Sequence, residues 1–576
     1  MNRRAFLYRL ARGAALSPAV RMGRLKLSAD AVGPYFPHYV DLAARAGLTS
    51  PTIIRGSDRK DFLLSTTGGG VAVFDYDNDE WPDVFIVNGW GLADFPRGQE
   101  PTNHLYRNNR DGTFTDVTVK AGLVKHGWGQ GVCAGDFDND GFLDLFVTYY
   151  GQNALYHNNG DGTFTDVTRA SGLLEREDKW NAGAAFLDFD RDGRLDLFVS
   201  HYVGYKEGLT LYESNASLEG EQSPVLYGVA GLEGTRNTLY RNNGDGTFTD
   251  VSKAAGILSP QPAYGFTPLV ADFDDDGWPD IYVADDSTPS LLFRNNHDGT
   301  FTETGLLAGV AFDLNGRPQA GMGVDTADID GDGLLDIVKT NFSDEAPTLY
   351  HNEGKGFFAD ATFPSGLGRV TESVKWGAAF LDFDNDGWPD LIIASGPIYP
   401  PGISPRHPKT AEAGGAALFR NTGDGRFREI TASAGPGFSS SACGRGLAVG
   451  DLFHTGQVDV VINNINDCPT LLHNQSPAKN NWLLIKLLGT RANRAAIGSR
   501  VIVEAEARRQ VQEVRSGGSF CSQSDLRLHF GLGKASIAER VQVQWLGGEK
   551  QVLSRIRANR LVTIQEGKGI VAEQPW

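Results

Sequence analysis

Aspartates at positions 1, 3, 5 and 9 of a nine-residue run recur six times in this chain, starting at Asp75, Asp136, Asp188, Asp272, Asp328 and Asp382. Alternate residues of a tight loop point inward, so each run aims four carboxylates, with the carbonyl of position 7, at one centre. Hard oxygen donors in that number suit Ca2+ better than Mg2+ or Zn2+. The six sets are Asp75, Asp77, Asp79 and Asp83; Asp136, Asp138, Asp140 and Asp144; Asp188, Asp190, Asp192 and Asp196; Asp272, Asp274, Asp276 and Asp280; Asp328, Asp330, Asp332 and Asp336; and Asp382, Asp384, Asp386 and Asp390. Position 6 is Gly in five runs, which permits the sharp turn, but Glu80 in the first, which makes that site the weakest expectation. A seventh run, from Asp451, has Phe453 and Thr455 at positions 3 and 5 and is expected to hold no metal. Without an ion, carboxylates about 4 Å apart repel by roughly 4 kcal/mol per pair at an effective dielectric of about 20. The loops should therefore fold around calcium, about six ions in all, or take up protons.

The runs are spaced 52 to 84 residues apart, and each sits inside the same longer repeat. A strand of small residues enters the run (183–190), an apolar strand leaves it (195–200), and a short strand ending Leu-Tyr-x-Asn follows. An Asn- and Gly-rich turn then leads to a last strand, as in LYHNNGDGTFTDVT (155–168). Four-stranded units repeated about seven times read as the blades of a β-propeller. The seventh unit stops at LLHN (471–474) without its last strand, while YVDLAARAGL (39–48) aligns with FTDVTVKAGL (114–123) near the other end of the chain. The expected fold is all-β: a seven-bladed propeller closed by an N-terminal outer strand, followed by a small all-β domain. The boundaries read as an export signal over 1–26, the propeller over 30–478, the second domain over 479–568 and a tail over 569–576.

Charge divides the chain in the same places. Residues 1–26 carry seven basic and no acidic side chains, residues 27–478 carry 30 basic and 63 acidic, and residues 479–568 carry 16 basic and 7 acidic. An acidic propeller excludes nucleic acid as its partner, and its charge offers the basic domain a face on which to dock. No run of 18 apolar residues is present, so no transmembrane segment is expected. Arg3, Arg4, Phe6 and Leu7 match the twin-arginine export pattern, although Arg9 and Arg12 interrupt a weak apolar region. Export to the periplasm or the cell exterior, where calcium is millimolar, is the expected location. Cys133, Cys443, Cys468 and Cys521 have no metal-ligand spacing and read as buried free thiols, with a pairing of Cys443 and Cys468 the alternative.

Catalytic propellers place polar groups where the innermost strands begin. Six residues before each first Asp stand Gly69, Gln130, Ala182, Phe266, Met322, Trp376 and Arg445, a ring without a carboxylate pair, a histidine cluster or a nucleophile beside a base. Binding is therefore favoured over catalysis, with Gln130, Trp376 and Arg445 as candidate ligand residues at the channel mouth. The Pro- and Gly-rich insertion 395–417 adds Tyr399, Arg406 and His407 as candidates on a rim loop. His157, His351 and His473 occupy the place of Arg107, Arg241, Arg294 and Arg420 in other repeats and read as surface residues of the blades.

The runs and their DGTF turns resemble FG-GAP/VCBS repeats, the calcium-bearing blades also seen in integrin α-subunit propellers. NRAAIGSRVIV (493–503), GGSFCSQSDLRLHFGLG (517–533) and VQVQWLGGEKQVL (541–553) resemble the ASPIC/UnbV domain. The combination is similar to bacterial secreted proteins of the cartilage acidic protein type. It implies the propeller, the calcium and an appended β domain, and says little about activity. The reading is an exported calcium-binding propeller that acts as an interaction or adhesion module towards protein or carbohydrate. The alternative is an enzyme, or an enzyme accessory, of envelope or secondary-metabolite chemistry that uses the propeller mouth. Oligomeric state is open.

Overall fold

A computed structural model describes residues 36–54, 66–89, 100–174, 179–204, 229, 232–398, 414–477 and 479–576. The described residues are all-β apart from short helical turns, and the strands form nine four-stranded sheets. Seven of these come from the repeats. Sheet 1 comprises Val71–Phe74, Asp83–Ile86, His104–Asn108 and Phe114–Asp116, paired antiparallel in chain order. Sheets 2 to 6 repeat this pattern, beginning at Trp128, Asn181, Gly265, Gly321 and Lys375. Sheet 7 takes three strands from Gly444–Gly450, Asp459–Asn464 and Thr470–Asn474. Its fourth is Tyr39–Asp41, with Tyr39 opposite Asn474. The displaced strand expected from the alignment is therefore in place. Tyr39 is fully buried, and its hydroxyl donates to the carbonyl of Val458 at 3.1 Å.

Burial alone explains why the inner strands carry small and apolar residues. Every residue of Trp128–Gly135 and Asn181–Leu187 is buried, whereas the outermost strands bury only their first residue, as in Phe114–Asp116. Apolar clusters join each sheet to its neighbour. Phe74, Phe85 and Leu105 of sheet 1 pack with Val132, Leu145 and Tyr156 of sheet 2, and Val71, Val84 and Tyr106 pack with Ala448, Val461 and Leu471 of sheet 7.

A polar staple repeats the same connection. The Asn that ends each third strand donates its side-chain amide to the position-2 carbonyl of the preceding loop. Asn158 reaches Tyr76 at 2.8 Å, Asn242 reaches Phe137 at 2.8 Å, and Asn295 reaches Phe189 at 2.9 Å. Asn352 reaches Phe273 at 2.9 Å, Asn421 reaches Ile329 at 2.8 Å, and Asn474 reaches Phe383 at 2.9 Å. Asn108 of sheet 1 makes the same bond to Leu452 of sheet 7, at 2.9 Å.

The last two sheets form the C-terminal domain. In one, Asn481–Leu488 lies between Leu528–Gly533 and Arg560–Gln565, with Gly569–Pro575 at the edge; the other orders Arg508–Glu513, Arg500–Ala505, Ile537–Gln544 and Lys550–Arg557. Their facing side chains, among them Leu483, Ile485, Val501, Val541 and Trp545, share one core. Within the stretch 569–576 read as a tail, Gly569–Pro575 forms an edge strand paired antiparallel with Arg560–Gln565. The final Trp576 packs within 5.7 Å of Trp482.

Removing a buried staple leaves a carbonyl without its donor, which costs about 1 to 3 kcal/mol. Asn158→Ala and Asn108→Ala should both lower stability by that amount in denaturant melts. A neutral Asn108→Ala beside a costly Asn158→Ala would mean that sheets 1 and 7 do not depend on each other.

Candidate metal centre

Each aspartate loop is shaped by its own first and last carboxylates. In the second loop Asp136 accepts the backbone N–H of Asp140 at 3.0 Å and of Gly141 at 2.8 Å. Asp144 accepts Phe137 N–H at 3.0 Å and Asn158 N–H at 2.8 Å, which ties the loop to the third strand. The first loop repeats this geometry, with Asp75 accepting Asp79 and Glu80 at 2.9 and 3.0 Å. Glu80 adopts φ +70°, close to Gly193 at φ +85° in the third loop. The Glu at position 6, which made this loop the weakest expectation, therefore leaves its shape intact.

The chemistry of the donors fits a hard cation. Carboxylate oxygens of Asp75, Asp77 and Asp83, of Asp136, Asp138 and Asp144, and of Asp188, Asp190 and Asp192 gather within 4.8 Å of one another. One or more position-3 oxygens are buried without any hydrogen-bond partner in four loops, at Asp77, Asp190, Asp274 and Asp384. An orphaned, buried anionic oxygen is costly unless something positive meets it. When bound, calcium would supply that charge, held by the six aspartate sets and the position-7 carbonyls.

Electrostatics point the same way. Burial is the main cause that raises the first-position carboxyls, and neighbouring carboxylates add to it. Asp136 is pushed up to about 8, Asp188 and Asp328 to about 7, and Asp384 at position 3 to about 6. Burial likewise lifts Asp272 to about 7 and Asp75 to about 6.

The residue before the stapling Asn supplies a built-in counter-charge. Arg107 lies 2.8 Å from Asp77, Arg241 lies 2.7 Å from Asp190 and Arg420 lies 2.6 Å from Asp384, and Arg294 pairs with Asp274. His157, His351 and His473, read from sequence as surface residues, occupy this same place beside the loops. Their Nδ1 atoms lie 3.3, 2.9 and 2.8 Å from Asp144, Asp336 and Asp459. Contact with those aspartates raises His157 and His351 to about 9. The repeat-wide exchange of Arg for His was the signal for this role.

Adjacent loops are also clasped to one another. Asn78 donates to Gly141 O at 2.9 Å, Asn139 to Gly193 O at 3.0 Å and Asn385 to Gly456 O at 2.8 Å. His454 in the seventh loop lies 2.9 Å from Glu80 O in the first. The seventh loop keeps its shape without the metal set: Asp451 accepts Thr455 and Gly456 N–H, while Phe453 packs edge-on against His473 at 4.3 Å.

Comparison with known proteins agrees with this architecture. A model of the FG-GAP-like repeat matches residues 75–147, 136–199, 226–283 and 272–339, and a model named ASPIC and UnbV matches 489–571. The chain carries FG-GAP-like repeats and an ASPIC/UnbV domain. Human cartilage acidic protein 1 is 24% identical over 520 residues, covering 86% of this chain and 71% of that protein. The Xenopus tropicalis protein of the same name is 27% identical over 481 residues, covering 73% and 70%. Among solved structures, an Agrocybe aegerita lectin described as recognising terminal N-acetylglucosamine is 18% identical, with TM-score 0.37 over 68% of this chain and 88% of that one.

The three residues expected at a channel mouth are not exposed. Gln130 is buried and bonded to Thr67 and to the indole of Trp180 at 3.0 and 3.1 Å. Trp376 is buried, donating to Gly396 O at 2.8 Å, and the fully buried guanidinium of Arg445 stacks 4.0 Å from its ring. Phe520 of the ASPIC/UnbV domain closes over Trp376 at 4.9 Å. All three expected ligand residues are thus buried and held by neighbouring side chains or carbonyls of the chain itself. Tyr399, Arg406 and His407 lie outside the described residues. The four cysteines are all free: Cys443 Sγ contacts Pro397 O and Cys468 Sγ contacts Thr49 O, while Cys133 and Cys521 are buried. No described helix is long and apolar enough to cross a membrane.

The raised carboxyls fix the sign of a pH effect. A carboxyl whose folded pKa exceeds its unfolded value of about 3.9 supports folding at low pH, and that support fades as pH rises through the folded value. With calcium chelated, the melting temperature of the full chain should fall between pH 5 and pH 8, the span over which these groups lose their protons. Excess calcium should remove the decline, since the ion replaces the protons. A calcium-free melting temperature that stays flat or rises across that span would contradict the assignment.

Proposed function

We propose that this chain is an exported, calcium-binding β-propeller that acts as an interaction or adhesion module towards a protein or carbohydrate. The seven repeat sheets are its blades, closed into a ring over residues 30–478, and the ASPIC/UnbV-like domain begins near 479 and runs through the edge strand ending at Pro575. The observation that carries the calcium reading is the unpartnered, buried position-3 oxygen, which at Asp77 and Asp190 belongs to a carboxylate that clusters with two others of its loop. Two observations support closure: Asn108 staples sheet 1 to sheet 7 as its counterparts staple every other pair, and the strand Tyr39–Asp41 completes sheet 7.

Six loops keep four aspartates, so about six ions are the proposed complement, with none at the loop of Asp451. The role of the ions is mechanical. They hold the turns between first and second strands, so the rigid frame can present its outer walls and insertions to a partner. Binding of extracellular ligands by a rigid, repeat-built frame is the use to which such surfaces are commonly put. Export is supported by the twin-arginine pattern and by the demand of the loops for a calcium-rich compartment.

Isothermal titration with calcium, paired with elemental analysis of the full chain, should give about six ions and a large rise in melting temperature. Asp136→Ala should lower the count by one and increase proteolysis near sheet 2. An unchanged count would remove Asp136 from the ligand set. The wild-type chain loaded with calcium, screened on glycan arrays and against extracellular proteins, should show saturable binding; a loaded chain that binds neither class would refute the interaction reading.

A further inference from the structure

The ASPIC/UnbV domain rests on the backs of the aspartate loops. Arg527 donates to Glu80 O at 2.8 Å in the first loop, and the N–H of Arg494 donates to Asn139 Oδ1 at 2.7 Å in the second. Arg500, itself buried, reaches Asp272 O at 3.1 Å in the fourth. The N–H of Gly533 donates to Asn385 O at 2.8 Å in the sixth, and His529 Nε2 lies 3.2 Å from Gly456 O in the seventh. The acceptors are mostly at positions 4 to 6, the outer curve of each turn, so the ring of loops is a seat whose shape depends on the loops.

From this seat one segment enters the channel. Residues 517–525 bond to the innermost strands of several sheets. Gln523 N–H donates to Val71 O and Val73 N–H to Gln523 O, both at 2.9 Å; Val132 N–H donates to Cys521 O at 3.1 Å; Val324 N–H donates to Ser519 O at 2.6 Å; and Asp525 N–H donates to Val449 O at 3.0 Å. The inner strands are cut to admit it. A Cβ at Gly70 would lie 2.3 Å from Cys521 O, one at Gly131 would lie 2.6 Å from Cys521 Cβ, and one at Gly446 would lie 2.5 Å from Ser522 Oγ.

We propose that calcium in the aspartate loops keeps the ASPIC/UnbV domain seated, and that loss of the ions frees the domain and withdraws the strap 517–525 from the channel. The proposal rests on the calcium reading above. It makes the strap the resident occupant of the channel and calcium the condition for its residence.

Two effects oppose each other when the ions leave. The loop face becomes more negative, by less than the charge of the ions because the buried first-position carboxyls take up protons, and this attracts a domain that carries 16 basic and 7 acidic residues over 479–568. Exposed charges more than about 8 Å apart are screened at physiological salt. The seating bonds, by contrast, are short and go largely to backbone carbonyls, whose directions are lost once four mutually repelling carboxylates open each turn. Loss of the seat therefore outweighs the added attraction.

The test is hydrogen exchange on the full chain, with calcium counted by elemental analysis before and after chelation. At 0.15 M salt, amides of 519–525 should exchange at least tenfold faster after chelation, while strands 481–488 and 541–544 in the core of the C-terminal domain keep their protection. Where chelation melts the propeller sheets as well, Asp384→Asn, which alters the sixth loop alone, provides the second measurement. Its strap should exchange faster in calcium while sheets 3 and 4, whose amides do not donate to the strap, keep wild-type rates. Ions counted and removed with no change at the strap, in the chelated chain and in the variant, would overturn the coupling. A chain that never held calcium would overturn the calcium reading itself, and the ion count separates the two failures.

Discussion

The fold depends on holding four carboxylates within one nine-residue turn, six times over. Each first-position carboxylate accepts two N–H groups of its own loop, and each last-position carboxylate accepts one from the loop and one from the third strand, as Asp136 and Asp144 do. The carboxylates that could hold a metal are thus also the hydrogen-bond acceptors that shape the turn. Arg or His from the third strand offsets part of the repulsion, and the position-3 oxygens left without partners are what remains for an ion. A single requirement, oxygen donors around a positive charge, sets the turn, the register of the third strand and the place of the stapling Asn.

Much of this was legible in the sequence because the repeat samples the same physics seven times. Aspartate spacing, Gly at position 6 and the Leu-Tyr-x-Asn strand gave the unit, and the alignment of 39–48 with 114–123 placed Tyr39–Asp41 on the seventh sheet. The Asn of that motif was visible as a pattern, but its role was not, since its acceptor belongs to the preceding repeat, from 82 to 106 residues earlier for Asn158 and Asn295. His157 is partly exposed, as comparison with Arg suggested; what the comparison left out is that both side chains lie beside carboxylates of the loop. Strand 569–575 escaped notice because it is mostly exposed, Ile570 and Val571 included, so no alternation of buried apolar residues marks it, and its partner strand precedes it by only a short turn.

The channel was the largest departure. A ring of one residue per repeat suggested a mouth, and Gln130, Trp376 and Arg445 were its polar and aromatic members. Sequence periodicity reports what each repeat contributes, and it is blind to an insert supplied by another domain. A trace of the insert was nevertheless present one position further on, where six of the seven repeats have Gly, at Gly70, Gly131, Gly183, Gly323, Gly377 and Gly446. In the structure Gly70, Gly131, Gly323 and Gly446 make room for residues 519–522, which are not part of the repeat, while Gly183 and Gly377 face the neighbouring sheet.

The seventh loop shows what replaces an ion when the carboxylates are given up. Phe453 at position 3 packs against His473, and His454 at position 4 is stacked between Trp81 at 3.6 Å and Trp576 at 3.8 Å. Trp81 belongs to the first loop and Trp576 is the last residue of the chain, so three distant segments meet on one imidazole. Burial lowers the pKa of His454 to about 4, which keeps the ring neutral and able to stack at physiological pH. This is also the sheet assembled from both ends of the repeat array, where the first and last loops must be joined. An ion fixes one loop through its own oxygens, whereas an aromatic stack fixes two loops and a domain through shared apolar surface. At this junction, contacts of Phe453 and His454 with other segments hold a loop that has no carboxylate at positions 3 and 5.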